Sequence, residues 1–531
     1  MTPSSELDDN GFVANAPPSA TSRGGLPAPL VSGLGVVFFF MLYGCLHGLA
    51  TRAAGPALAL DDVKLNIVTQ SFQRGYMPEN PPLFEWLLLL VQSAVGPTLL
   101  SFIIVKYALL TVAGVFTYFA ARDVFDDRPW AALTAGALIL FYQLGWNYHQ
   151  AFTHSAALIA CVAIFWRMLF ATMKRGRLVD YVGLGVALGL GALSKYSFVA
   201  VAPIAFAAAA LAAPAFRRAL VAPKIIASFV VAFLVAAPHI LWLATENADV
   251  AASAAARLQG EAAPYGERVA KGAPHALWAI VSYFLIASPV AAVVFGAQSL
   301  DLRVSLRDAS ACVRTAAWAT LGGAGGLIAV VFLLGMDSMQ ERYAIPFLFP
   351  CVFALMAAAK ANATPSRIRT FASVIGMVML AGVGLRGVEA ARAGAPFCEK
   401  CRQWIPYDPL AAAIAENGFE TYTLVGYDDH IAGNLRRLFP ESRVLSMHMP
   451  FYTPPLYRSG AGSGAELCVL IWSPDLAAPP PALIKRFDPQ KSLRVAAPWR
   501  HPLKEDGWRM TEWRLEPLTR DSRLAKRLCR L

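Results

Sequence analysis

The sequence predicts an all-α polytopic membrane domain of about eleven spans (eleven to thirteen), with interfacial helices in its first outer loop and a small C-terminal α/β domain. Three observations predict it. Apolar residues make up 56% of the 531 and charged residues only 15%, with a mean hydropathy of +0.49, whereas soluble domains carry charge on about a quarter of their residues. Apolar runs of spanning length recur from Leu30 to Arg386; about 20 helical residues cross the hydrocarbon core, and lipid offers an open backbone no hydrogen-bond partners. Past Arg392 the composition turns to Pro, Arg, Asp and Tyr with short apolar stretches.

Taken in order, residues 1–29 are rich in Ser, Pro, Gly and Ala and place Glu6, Asp8 and Asp9 where a signal peptide carries basic residues. They read as a disordered cytoplasmic tail, and 30–50 as an uncleaved first span. Further spans follow at 99–121, 129–146, 152–173, 179–194, 197–213, 222–244, 276–298, 314–335, 343–361 and 370–390. Basic residues cluster at alternate turns: Arg122/Arg128, Lys174/Arg175/Arg177, Arg217/Arg218/Lys224, Arg303/Arg307/Arg314 and Lys360/Arg367/Arg369. The positive-inside rule makes these turns cytoplasmic, so loop 51–97 faces out. Parity then requires that Leu83–Val95, which is short and holds Glu85 and Gln92, lies at the interface instead of crossing.

An odd number of spans sends residues 392–531 to the periplasmic side, with strands at Thr423–Tyr427 and Leu467–Trp472 and a helix at Pro409–Asn417. The net charge of +11 is spread over these loops and the tail. It reads as an orientation signal, with the lipid bilayer as partner and no nucleic acid. Cys45, Cys161, Cys312 and Cys351 fall in or beside apolar spans and serve as small hydrophobes. Cys398 and Cys401 predict a local disulfide on an oxidising side of the membrane, while Cys468 and Cys529 stand alone; a zinc ribbon would need a second close pair.

The chemistry concentrates in loop 51–97, which holds the pair Asp61–Asp62, Lys64 two residues on, and an Asn80-Pro81-Pro82-Leu83 turn. By themselves these acids read equally as a hydrated pair or as functional groups, since charge beside a span is costly unless solvated or used. The stretch Asp61-Asp62-Val63-Lys64, then Gly75-Tyr76, then Asn80-Pro81-Pro82-Leu83-Phe84-Glu85-Trp86 resembles the first periplasmic loop of the GT-C glycosyltransferase superfamily. The branch it resembles holds the aminoarabinose and galacturonosyl transferases, with the protein O-mannosyltransferases as cousins. Further likenesses follow in the same order: Gly189 to Tyr196, Pro238-His239-Ile240-Leu241-Trp242, and Glu341-Arg342-Tyr343-Ala344-Ile345-Pro346. Together they cover about residues 30–391, the transmembrane glycosyltransferase domain, with 51–97 as its catalytic loop.

The resemblance implies transfer of a sugar from a polyprenyl phosphate to a lipid, polysaccharide or protein acceptor. Such a reaction needs a carboxylate to take the acceptor's proton and cations to meet the charge growing on the departing phosphate. It implies Asp61 as general base with Asp62 assisting, and Lys64, Asn80, Lys195, Arg342 and Tyr343 at the donor phosphate. Glu85, His149 and His154 are candidates for acceptor or sugar contacts. Two departures stand out: Asn80 occupies the place of a Lys before Pro-Pro, and Thr153-His154 lies where many members carry an Asp. No cofactor is implied, and a divalent cation is left open. For Lys195 the competing reading is snorkelling at a span end, and for Arg342 a pairing with Glu341.

A transporter or flippase of lipid-linked glycans is the competing class. It would show paired repeats and broken helices with midplane charges, whereas no repeat is evident and the charges sit in loops. No glycine-rich phosphate loop follows a strand, so a soluble nucleotide sugar is not indicated.

Overall fold

The computed structural model describes residues 25–246, 263–301, 303, 309–392, 401–454, 467–485, 487, 492–499, 501, 504, 508–518 and 527–529. Residues 1–24 of the expected tail, Arg307 and Cys398 lie outside the described residues. Helical structure occupies every segment expected to span. Six helices are long and apolar enough to cross a membrane: Gly33–Ala53, Leu99–Phe125, His154–Arg175, Ile225–Thr245, Ala311–Leu334 and Pro365–Glu389. The pair Tyr265–Tyr283 and Ala287–Phe295, bent by 41°, forms a seventh if counted as one, and Leu178–Ser194, Phe198–Ala212 and Ile345–Lys360 are shorter apolar helices. His154–Arg175 is the most buried of the long helices, packed between Leu99–Phe125 and Leu178–Ser194.

Segment 129–146 departs from a continuous span. It is a helix Arg128–Gly136, a 3-10 turn Ala137–Leu140 and a π turn Gln143–Asn147. The chain doubles back so tightly that a β-carbon on Gly145 would lie 2.0 Å from the Ile139 carbonyl oxygen. Only a glycine permits that approach, and the Tyr43 hydroxyl then donates to the Gly145 carbonyl at 3.1 Å. Single π turns of this kind recur at functional sites.

The helix expected at Leu83–Val95 has those bounds. Two prolines precede it, and Gly96 ends it at φ +75° and ψ 170°, an extended conformation of positive φ that favours glycine. At 13 residues it reaches roughly 20 Å, short of a bilayer. It buries Phe84, Glu85, Leu88 and Gln92, and packs chiefly against Leu99–Phe125.

The C-terminal region holds one five-stranded sheet in the order β2-β1-β3-β5-β4, with β1 Thr423–Gly426, β2 Val444–Ser446, β3 Cys468–Trp472, β4 Leu493–Pro498 and β5 Met510–Leu518. The fully buried β1, β2 and β3 are parallel; β5 and β4 add on antiparallel. Helices Tyr407–Glu416 and Asp429–Leu438 pack with it. Cys468 on β3 is bonded to Cys529, which corrects the expectation that the two stand alone. With a sequence separation of 61 no local spacing marks the pair; the sheet places Cys529 beside β3. Cys401 is also disulfide-bonded, and its expected partner lies outside the described residues.

Loop 51–97 and the C-terminal region share one core, in which Leu58, Val63, Ile67 and Phe84 pack with Leu410, Ile431, Leu435 and Trp513. Buried amides fix the register. Asn66 donates to the Gly433 carbonyl at 2.9 Å and accepts from Gln92 at 2.9 Å. Gln70 donates to the Val444 carbonyl at 2.8 Å and accepts from its N–H at 2.9 Å. A buried amide left unpaired costs about 1–3 kcal/mol, so these pairs make one seating far better than its neighbours.

Candidate active site

The acidic pair issues from a strained turn. The Asp62 N–H donates to the Ala59 carbonyl at 3.2 Å, closing a turn whose second residue, Leu60, has φ +56° and ψ −131°. That is the glycine position of a type II′ turn, and a side chain there costs on the order of 1–3 kcal/mol. Helix Asp61–Val68 starts immediately after it, with both acids in the first turn, where the backbone dipole favours negative charge.

Asp61 is exposed and Asp62 half-buried. Burial pushes the Asp62 carboxyl up to about 6, against the opposing pull of the Lys106 ammonium and with a further push from Asp61. Lys64 lies 3.8 Å from an oxygen of Asp429. The other oxygen of Asp429 accepts from Ser446 at 2.6 Å. An acid of the C-terminal region therefore holds the lysine expected at the donor phosphate.

Lys106 is buried and donates to the Gln150 carbonyl at 3.4 Å. Beside it, His149 sits between two tyrosines, with Nδ1 3.1 Å from the Tyr107 hydroxyl and Nε2 2.8 Å from that of Tyr43. Tyr43 spends its hydrogen on Gly145, so it accepts from Nε2–H, and Nδ1 faces the Tyr107 hydroxyl. Both ring nitrogens are thus engaged, and the ring stacks on His47 at 3.5 Å.

His154 meets Glu85, its Nε2 lying 2.9 Å from one carboxylate oxygen; Glu85 is fully buried and its second oxygen has no partner among the described residues. Nearby, His239 donates from Nδ1 to the Arg74 carbonyl at 3.2 Å and accepts at Nε2 from the Tyr196 hydroxyl at 3.0 Å. A β-carbon on Gly75 would lie 2.3 Å from the Trp242 ring. This explains why Gly75 stands where the loop crosses helix Ile225–Thr245.

Lys195 donates to the Ser155 hydroxyl at 3.1 Å and lies 5.4 Å from the centre of the Tyr343 ring. Arg342 is half-buried with its Nε unpaired among the described residues, while Glu341 accepts from the Trp278 indole at 2.9 Å. Asn80 is half-buried in a bridge to Met77.

One short segment, His149 to Ser155, therefore touches Lys106 through the Gln150 carbonyl, Glu85 through His154, and Lys195 through Ser155. Of the expected residues, Glu85 meets His154 and Lys195 meets Tyr343; Lys64 and His149 are engaged elsewhere. Sequence reasoning missed Asp429, Tyr196 and His239 as partners. Among the described residues no three His, Cys, Asp or Glu side chains gather into a metal-binding group.

Residues 79–242 match the family described as dolichyl-phosphate-mannose-protein mannosyltransferase. The chain is 28% identical over 411 residues to the lipopolysaccharide core galacturonosyltransferase RgtB of Rhizobium johnstonii, covering 76% of this chain and 81% of that one. Its fold is that of ArnT from Cupriavidus metallidurans. The match to the apo state has a TM-score of 0.55 at 13% identity, covering 90% of this chain and 98% of ArnT. The match to ArnT bound to undecaprenyl phosphate has a TM-score of 0.54 at 12% identity, covering 91% and 98%. The apolar helices, the loop packed under a small mixed sheet, and these likenesses agree: this chain is a multi-pass membrane glycosyltransferase similar to those of the GT-C type, the ArnT and protein-mannosyltransferase kind.

Proposed function

We propose that the chain transfers a glycosyl unit from a polyprenyl-phosphate donor to a lipid, polysaccharide or protein acceptor at the periplasmic face of a bacterial inner membrane. Asp61 is the general base and Asp62 its partner. The carrying observation is the setting of the two acids: an exposed carboxylate beside one whose proton affinity burial has raised, with the buried Lys106 nearby. Asp61 takes the proton of the acceptor hydroxyl as its oxygen attacks the anomeric carbon. The bond from that carbon to the phosphate oxygen breaks, and polyprenyl phosphate leaves. Lys195, Arg342, Tyr343 and Asn80 are the donors for the leaving phosphate, with half-exposed Lys64 on the side of the acids.

The name of RgtB and the lipid bound to ArnT support a lipopolysaccharide-type acceptor and a polyprenyl-phosphate donor. The Cys468–Cys529 disulfide supports a C-terminal domain on the oxidising side, with the N-terminus cytoplasmic. The test is Asp61→Asn assayed in membranes with radiolabelled polyprenyl-phosphate sugar. General-base removal predicts a loss of roughly 10²–10⁴-fold in transfer with normal insertion; turnover at the wild-type level removes Asp61 from the role.

A further inference from the structure

We propose that Asn434, in the C-terminal domain, is a positioning residue for the acidic pair. Its side-chain amide clamps the backbone of Leu58 and so maintains the strained turn from which Asp61 and Asp62 emerge. This inference rests on the reading of those acids as the reactive carboxylates.

Asn434 is completely buried. Its Oδ1 accepts from the Leu58 N–H at 2.9 Å, and its Nδ2 donates to the Leu58 carbonyl at 3.1 Å and to the His430 carbonyl at 2.9 Å. Binding both backbone groups of one residue fixes its position and the orientation of its peptide planes, which one bond would not do. Leu58 stands two residues before Leu60. Downstream, Asn66 is tied to the Gly433 carbonyl. Both anchors of the turn therefore lie on helix Asp429–Leu438.

Between the anchors the turn carries a leucine where a glycine is at home, closed by the Asp62–Ala59 bond. Leu60 is largely exposed, so packing of its own side chain does not explain the conformation. The clamp does. Without it Leu60 relaxes to negative φ, and the first turn of the helix rotates away from the position it now holds.

The experiment uses the full-length protein in detergent or nanodiscs. In Asn434→Ala, amides of residues 61–68 should exchange hydrogen faster while those of β1 and β3 stay protected. Turnover should fall by about 10-fold or more with the donor KM little changed, the signature of a misplaced reactive group. Adding Leu60→Gly to Asn434→Ala should bring turnover back to within about threefold of wild type, because glycine takes positive φ without a clamp. A merely structural role for Asn434 in its own domain would not be rescued from position 60.

If Asn434→Ala fails to accumulate, Asn434→Ser leaves a small hydroxyl that cannot hold both backbone groups of Leu58, and the same readouts apply. Unchanged exchange at 61–68, or no recovery with Leu60→Gly, overturns the clamp whatever Asp61→Asn does. An active Asp61→Asn together with faster loop exchange overturns the base assignment and leaves the clamp standing.

Discussion

Gly433→Ala tests the seating of loop 51–97 with a single methyl group. A β-carbon at that position would lie 2.5 Å from the Val63 carbonyl oxygen, 2.6 Å from its Cα and 2.7 Å from its Cβ, where ordinary contact is 3.4–4 Å. Two of the three atoms are backbone, so no rotamer change relieves the clash, and helices Asp61–Val68 and Asp429–Leu438 must part by roughly 1 Å. Alanine gains about 1 kcal/mol of helix propensity over glycine, while overpacking typically costs about 1–3 kcal/mol. The clash wins because the yielding element is a helix backbone tied down by Asn66 and Gln70.

The larger effect falls on the reaction. Val63 adjoins Asp62, and a displacement of about 1 Å at a reacting group costs on the order of 10²-fold in rate. Transfer from a radiolabelled polyprenyl-phosphate sugar and thermal unfolding should be measured on the same preparation. The expected result is a small fall in unfolding temperature with a large fall in turnover. A variant that turns over like wild type would refute the claim that this helix crossing positions the acids.

Two other outcomes follow from named groups. Asp62 titrates near 6 in the folded protein against an ordinary value of 3.8. Turnover should therefore fall as pH drops through about 6, while the stability contribution of this group runs the other way, being full below about 4 and lost as pH rises through 6. Lys106→Met should move the acid limb of the rate profile to higher pH, and an unmoved limb would separate Lys106 from Asp62. Cys529→Ser opens a bridge across 61 residues, worth about 4 kcal/mol in chain entropy, and frees the carbonyl that Arg443 now binds at 2.7 Å. Thermal unfolding should drop accordingly, and an unchanged transition would show that the sheet holds its end without the bridge.

What the sequence made legible is what one dimension encodes. The helix at Leu83–Val95 was readable to the residue because Pro81, Pro82 and Gly96 punctuate it, and strands β1 and β3 because short apolar runs stood out in a polar region. The π turn at Gln143–Asn147 was not, since its residues differ little from those of a helix. The close approach of the Ile139 carbonyl to Gly145, six residues on, shows only in the folded chain.

The same distinction explains which of the expected residues meet one another. Glu85, His154, Lys195 and Tyr343 all sit at the ends of apolar helices or in the loop beside them. A bilayer holds such ends in one layer, so segments far apart in sequence are confined to a plane before any specific contact forms. Matched motifs at successive helix ends are therefore neighbours almost by construction, as the Glu85–His154 pair and the placing of Lys195 over Tyr343 bear out. No such constraint acts on the union of loop 51–97 with helix Asp429–Leu438. Lys64 with Asp429, Asn434 with Leu58 and Gln70 with Val444 depend on a folded sheet arriving from the far end of the chain. The acids stand out in the sequence only through the resemblance of loop 51–97, since by themselves they read equally as a hydrated pair, while the backbone on either side of them is anchored by amides that carry no motif.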